Sequence, residues 1–390
     1  MASVQSELLR SSSNRKLVIA GQLAFLPTGI LTTLLGPMLP ILIARWAMND
    51  TQAGNLFLVQ FVAMLAGVQS SRVLLARWGF RPAILSGLLL MAFGVAALST
   101  AAHSLGLISV AVYGLGLGMI IPTDNLLIAE ISTGSGLTSR TGAVSLLNFF
   151  WGAGAVLCSV MVAWTAAHNL LPFFLCSVAT FLVLLALAVR NLPFPPAAQS
   201  DELTISWREL VKSPAIWLFA AVFFLYPGVE AAVGGWSGSY VARLGPRGAE
   251  VASIMPAFFW SAMMLGRIFG LAMIAHVSER LVLPVGYGAA VVGIGVMLKS
   301  STLEGVIAGT LIAGLSFALL YPISIGRFSE RYGVAARSIG AVMFSLAAVG
   351  PAVIPWLVGV ISHATGSLRN GLLLPLGSTA ILFLVHVFEW

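Results

Sequence analysis

The chain has 390 residues, of which 59% are hydrophobic and 8% charged, with a formal net charge of +7. A soluble domain carries roughly 25% charged residues, so this composition excludes a soluble fold and fits a bilayer. No basic run interleaves with aromatics, which argues against nucleic acid as a partner. Cys158 and Cys176, both in apolar runs, give neither a disulfide framework nor a metal-ligand spacing.

The first sixteen residues are polar and end in Arg15-Lys16. A long apolar run without a small-residue cleavage site follows, which reads as an uncleaved first span. A membrane span needs about 20 apolar residues. On that basis the first half holds spans at 17–42, 53–75, 83–101, 106–130, 141–165 and 169–189. Residues 191–212 are proline-rich, then charged and amphipathic, with an interfacial helix expected over 204–212. The second half holds spans at 214–240, 250–274, 281–299, 304–326, 338–362 and 370–388. With the N-terminus inside, only Arg45, Arg243, Arg247, Lys299 and Arg369 of the 20 Lys and Arg residues fall outside. That asymmetry follows the positive-inside rule and places both termini and the linker in the cytoplasm.

The halves resemble each other. A shift of 200 residues puts Pro27 on Pro227, Pro122 on Pro322 and Glu130 on Glu330. A shift of 198 puts Gly152 on Gly350. Parallel repeats about an axis along the membrane normal are a transporter build, with solute sites near mid-bilayer. The predicted fold is therefore an all-α membrane protein of twelve transmembrane helices in two six-helix pseudo-repeats. The domains are 1–190, a linker 191–212, and 213–390.

Intramembrane ionisable groups are costly and point to function by default. Asp124 and Glu230 qualify best, as proton carriers or as acceptors for solute hydroxyls. Glu130 and Glu330 end their spans and suit pairing with nearby arginines, and Arg267 suits snorkelling or pairing with an acid. On span 7, Tyr226, Glu230, Gly234 and Ser237 share one stripe at spacings of 4, 4 and 3, with Trp236 beside it. Asn148 and Trp151 on span 5, Asn125 on span 4, Trp260 on span 8, Tyr321 on span 10 and Gln60 on span 2 complete the candidate substrate-binding set. Lone amides in hydrocarbon need partners, and aromatic faces suit sugar rings. Gly29, Thr32, Thr33 and Gly36 form a small-residue stripe, the pattern of close helix approach.

Residues 225–240 (LYPGVEAAVGGWSGSY), Gly266-Arg267 and Tyr321-Pro322 resemble the fucose permease-like family of sugar–proton symporters within the major facilitator superfamily. Gly116-Leu117-Gly118 with Asn125, and Asn148-Phe149 with Gly152 and Gly154, fit the same pattern. The resemblance implies a major facilitator fold, a small polar solute such as a sugar, and symport with protons by alternating access. The short loops suggest the inner (plasma) membrane, and a monomer is expected, with solute, proton and lipid as partners and no cofactor or metal. Two departures stand out. The signature loop between spans 2 and 3 has Arg72 at its first Gly position and Ala76 at its Asp position, followed by Arg77, Gly79 and Arg81. The family's acid in span 1 is missing, and Ile121 stands at the matching place in span 4. Glu230 is therefore the expected proton carrier, with Asp124 second. The rival reading is a proton-driven exporter of lipophilic or amphipathic compounds, which the same fold supports. Gly235-Trp236-Ser237-Gly238 matches an intramembrane serine protease motif, but every histidine lies at a span end or in a loop, away from that serine.

Overall fold

The computed structural model describes residues 2–132, 140–195, 211–274 and 277–388. The interfacial helix expected over 204–212 lies outside the described residues except at its last two positions. The described residues are helical nearly throughout. The helices are α1 (Ala2–Thr33), α2 (Leu35–Trp46), α3 (Asp50–Trp78), α4 (Phe80–Leu98), α5 (His103–Ser132), α6 (Arg140–Ala167) and α7 (Leu171–Val189). After the linker come α8 (Pro214–Ala242), α9 (Pro246–Val251), α10 (Met255–Ile274), α11 (Glu279–Lys299), α12 (Leu303–Phe317), α13 (Leu320–Tyr332), α14 (Ala336–Thr365), α15 (Leu368–Gly371) and α16 (Leu373–Phe388). Among the described residues eleven spans are long and apolar enough to cross a membrane. The 20-residue α10 occupies the place of the twelfth expected span. Large apolar side chains such as Phe93, Phe173 and Phe269 stand 65–70% exposed, as on a lipid-facing surface. The protein is a multi-pass membrane protein.

Two expected spans are each split into two helices, and proline explains both breaks. Proline lacks the N–H for the i−4 carbonyl and its ring clashes with that carbonyl. Pro37 thus denies a partner to Thr33 O, and α1 ends at Thr33. Pro322 does the same to Ala318, and α12 gives way to α13 across 318–319. Pro227 behaves differently. The sequence predicts an irregularity there, yet α8 runs through it without a break.

The chain packs as two compact units, one of residues 1–34 and 62–200 and one of 35–61 and 201–390. In the first unit α1 packs on α6, α4 on α5, and α4 on α7. In the second α8 packs on α14, α11 on α12, and α11 on α16. The pairing order repeats, as the sequence repeat predicts. The tightest approaches also correspond. A Cβ on Gly154 would collide with Leu26 O, and one on Gly350 with Phe224 O. Gly29 meets the Trp151 carbonyl in the same way, so this member of the small-residue stripe serves close approach of α1 and α6.

The second unit includes a hairpin, α2 and the start of α3, that comes from the first part of the sequence. Gly36 lies against the Gly234 carbonyl of α8, and Gly54 against Trp356 O of α14. A reciprocal cap fixes the start of α3. Gln52 N donates to Asn49 Oδ1 at 2.9 Å, and Asn49 N donates to Gln52 Oε1 at 3.0 Å, satisfying two otherwise free donors.

Candidate transport site

Within the second unit the α8 stripe is dressed by aromatic side chains from neighbouring helices. Tyr321 of α13 stacks on Tyr226, with centroids 5.1 Å apart and planes 11° from parallel. Phe317 meets the Tyr226 ring edge-on at 5.2 Å. Two turns further along α8, the Trp260 indole of α10 covers Gly234, where a Cβ would come within 2.9 Å of the ring. Phe259 packs edge-on against Trp260 at 5.1 Å. Glu230 sits midway between these aromatic groups and is half-buried.

The break between α12 and α13 gives Tyr226 its anchor. Phe317 ends α12, so its carbonyl has lost its helical partner. The fully buried Tyr226 Oη donates to that carbonyl at 2.7 Å. The Glu230 carboxyl meets the same hydroxyl, and the Arg267 guanidinium acts on it electrostatically. Arg267 lies seven residues after Trp260 on α10, hence on the same helical face. Its Nη2 reaches Met263 Sδ at 3.4 Å, and its buried Nε has no hydrogen-bond partner. The arrangement presents one acid, one guanidinium and two aromatic surfaces. Such a set can accept and donate hydrogen bonds to hydroxyls and hold a ring by its faces.

The other predicted residues fall in different surroundings. Trp236 is fully buried, donates Nε1–H to Pro355 O at 3.0 Å, and packs 6.0 Å from the Phe57 ring. Gln60 is fully buried in the second unit. In the first unit, Asn125 Nδ2 donates to Ile121 O at 2.8 Å and Asn148 Nδ2 to Val144 O at 2.9 Å. Each amide thus finds its partner one turn back on its own helix. Asn148 remains exposed, Asn125 and Trp151 half-buried, and Asp124 buried. Ser237, of the protease-like motif, is fully buried, with its hydroxyl turned back 3.4 Å from Gly234 O.

Two features were not picked out from the sequence. One is the identity of the acid beside Arg267, expected only to be some acid and here Glu230, for which the seven-residue spacing from Trp260 was the available signal. The other is a cluster where α3 begins. Arg243, just past α8, donates to both oxygens of Asp50 at 3.0 and 2.5 Å. Ser362 of α14 donates to Asp50 Oδ2 at 2.5 Å. Six residues before Ser362, Trp356 Nε1 donates to Asn55 Oδ1 at 3.0 Å. Asp50 sits in the first turn of its helix, where negative charge is favoured.

The sequence pattern of the Major Facilitator Superfamily matches residues 23–355. The chain belongs to that superfamily. Its family and fold are those of membrane transporters that bind small-molecule substrates, not of enzymes. A glucose/galactose transporter of Brucella abortus biovar 1 (strain 9-941) is 23% identical over 373 residues, covering 88% of this chain and 87% of the relative. The E. coli fucose:proton symporter FucP shares the fold with a TM-score of 0.65 at 17% identity, over 97% of this chain and 99% of that one. The nucleoside transporter NupG does so with a TM-score of 0.72 at 15% identity, over 97% and 99%. The resemblance to the fucose permease-like family agrees with these likenesses, and the superfamily fold accounts for the repeated helix pairings.

Proposed function

We propose that the protein is a secondary active transporter that moves a small polar solute, a sugar, by alternating access coupled to protons. The observation that carries this reading is the α8 stripe, with Glu230 set between the Tyr226–Tyr321 stack and Trp260 and with Arg267 beside the acid. Glu230 is an ionisable group within a span, set beside the Tyr226 hydroxyl and the Arg267 guanidinium, where a change of charge would alter both contacts. This supports Glu230 as the principal proton carrier, with Asp124 as the second. Tyr226, Trp260, Tyr321 and Glu230 contact the solute, joined in the transport cycle by Gln60, Asn125, Asn148, Trp151 and Trp236. The functional halves are residues 1–190 and 213–390, joined by a cytoplasmic linker at 191–212. The protein works as a monomer in the inner membrane with both termini cytoplasmic.

The test is counterflow and pH-driven uptake in proteoliposomes, screened over sugars, nucleosides and lipophilic cations. Sugar uptake should follow an imposed inward proton gradient. Glu230→Gln should abolish accumulation while preserving exchange at equal concentrations. Uptake indifferent to the gradient would remove proton coupling, and transport of lipophilic cations alone would remove the sugar reading.

A further inference from the structure

The first unit contains a carboxyl that its surroundings do not neutralise. Asp124 on α5 is 2% exposed, and its Oδ2 has no hydrogen-bond partner. Thr123, one residue earlier and fully buried, also has an unpartnered hydroxyl. Asp124 faces a gap of about 10 Å³ lined by apolar side chains of α1, α4, α5 and α7, among them Leu17, Ile84, Leu88, Leu185 and Val189. That gap is at most one water in size, and a water needs two to four polar partners. Asp124 is the only polar side chain among its lining residues. No other titratable side chain lines it. Lys16 and Arg190, the sequence neighbours of the lining residues Leu17 and Val189, are exposed. Arg81, also exposed, is held by Leu192 O at 2.9 Å and lies 6.0 Å from the Phe194 ring.

The sequence makes room for this acid. A Cβ on Gly21 of α1 would come within 2.8 Å of Asp124 Oδ1 and 3.0 Å of Ile128 Cδ1. An ionised carboxylate in an apolar enclosure with no donor is among the least favourable arrangements a protein can hold, whereas the neutral acid buries far more readily. Such a group would be better replaced by leucine if it served packing alone.

We propose that Asp124 is a proton-binding site buried within the first unit and occupied in the conformation described here. Its part in transport rests on the proton-coupled reading above; its occupancy does not. Discharge breaks the carboxyl O–H bond, passes the proton to water that reaches the gap, and leaves the carboxylate. Pro122 lies two residues before Asp124 within α5. It removes one rung of the helical ladder there, giving the helix a place to bend and admit that water.

Infrared spectroscopy of the full chain in lipid at neutral pH tests the site without any solute. A carbonyl stretch of a neutral carboxylic acid should appear in the wild type, and one component of it should persist in Glu230→Gln and be lost in Asp124→Asn. Gly21→Ala should shift that band by crowding the carboxyl. Asp124→Leu should raise the midpoint of thermal unfolding, as removal of an orphan acid from an apolar gap requires. An Asp124→Asn spectrum identical to wild type in the neutral-acid region overturns the proposal. If the band is present but wild-type uptake ignores the proton gradient, the transport reading fails and the site stands.

Discussion

Removal of Arg243 offers the most direct test of how the start of α3 is held. The Asp50 side chain is 13% exposed and that of Arg243 41%. The pair is bidentate, which favours strength, but its exposed guanidinium is screened by water and salt. An exposed pair of this kind contributes about 1 kcal/mol at most. With 1.4 kcal/mol to a factor of ten, Arg243→Ala should loosen the hairpin from α8 and α14 by about fivefold. Leu56, fully buried six residues after Asp50, is a suitable reporter. A Leu56→Cys variant lacking Cys158 and Cys176 should react with a membrane-impermeant maleimide about five times faster once Arg243 is removed. Raising the salt concentration should narrow the gap, and exchanging the two charges should recover part of the protection. The recovery should be incomplete, because an arginine in the first turn of α3 opposes the helix dipole. Equal labelling rates with and without Arg243, at low salt, would refute the assignment of Asp50 as the holding point.

Other substitutions probe other joints. Tyr226→Phe should keep the stack on Tyr321 but strand the buried Phe317 carbonyl, a loss of about 1–3 kcal/mol measurable as a lower thermal midpoint in detergent. Gly29→Ala should force α1 off α6, where overpacking costs about 1–3 kcal/mol or more, and should cut folded yield on size exclusion. Asn148→Ala should weaken solute binding by about 1–3 kcal/mol with normal folding yield, and unchanged binding across a broad panel would remove Asn148 from the site. Cysteines at Ser200 and at the exposed Arg247 should label from opposite faces of the membrane, and labelling from one face would sink the proposed topology.

The spans, the repeat and the α8 stripe were legible because each depends on local pattern. Apolar length gives a span, and spacings of 4 and 3 give a face. The partners across that stripe were less so. Tyr226 reads as a solute ligand in isolation, but the carbonyl that it caps lies at the end of another helix about 90 residues away. Trp236 carries the same lesson, since the Pro355 carbonyl that receives its N–H is visible only in three dimensions. Pro227 misled in the other direction: α8 absorbs the lost rung without breaking. Asp50 drew no reading from the sequence, and the side chain of its neighbour Asn49 caps α3.

The hairpin of residues 35–61 also sets a problem for biogenesis. It leaves the ribosome about 150 residues before α8 begins, which at 5–20 residues per second is a wait of about 8–30 s. During that interval Met38, Leu39, Leu42 and Phe57, each at most 3% exposed in the finished fold, have only lipid or the insertion machinery to lie against. Their apolar character makes the wait tolerable, and Asp50, which the hairpin carries along with Arg45, must stay at the water surface until Arg243 arrives. A chain truncated before Pro214 should therefore be recognised as unfinished through this hairpin and degraded.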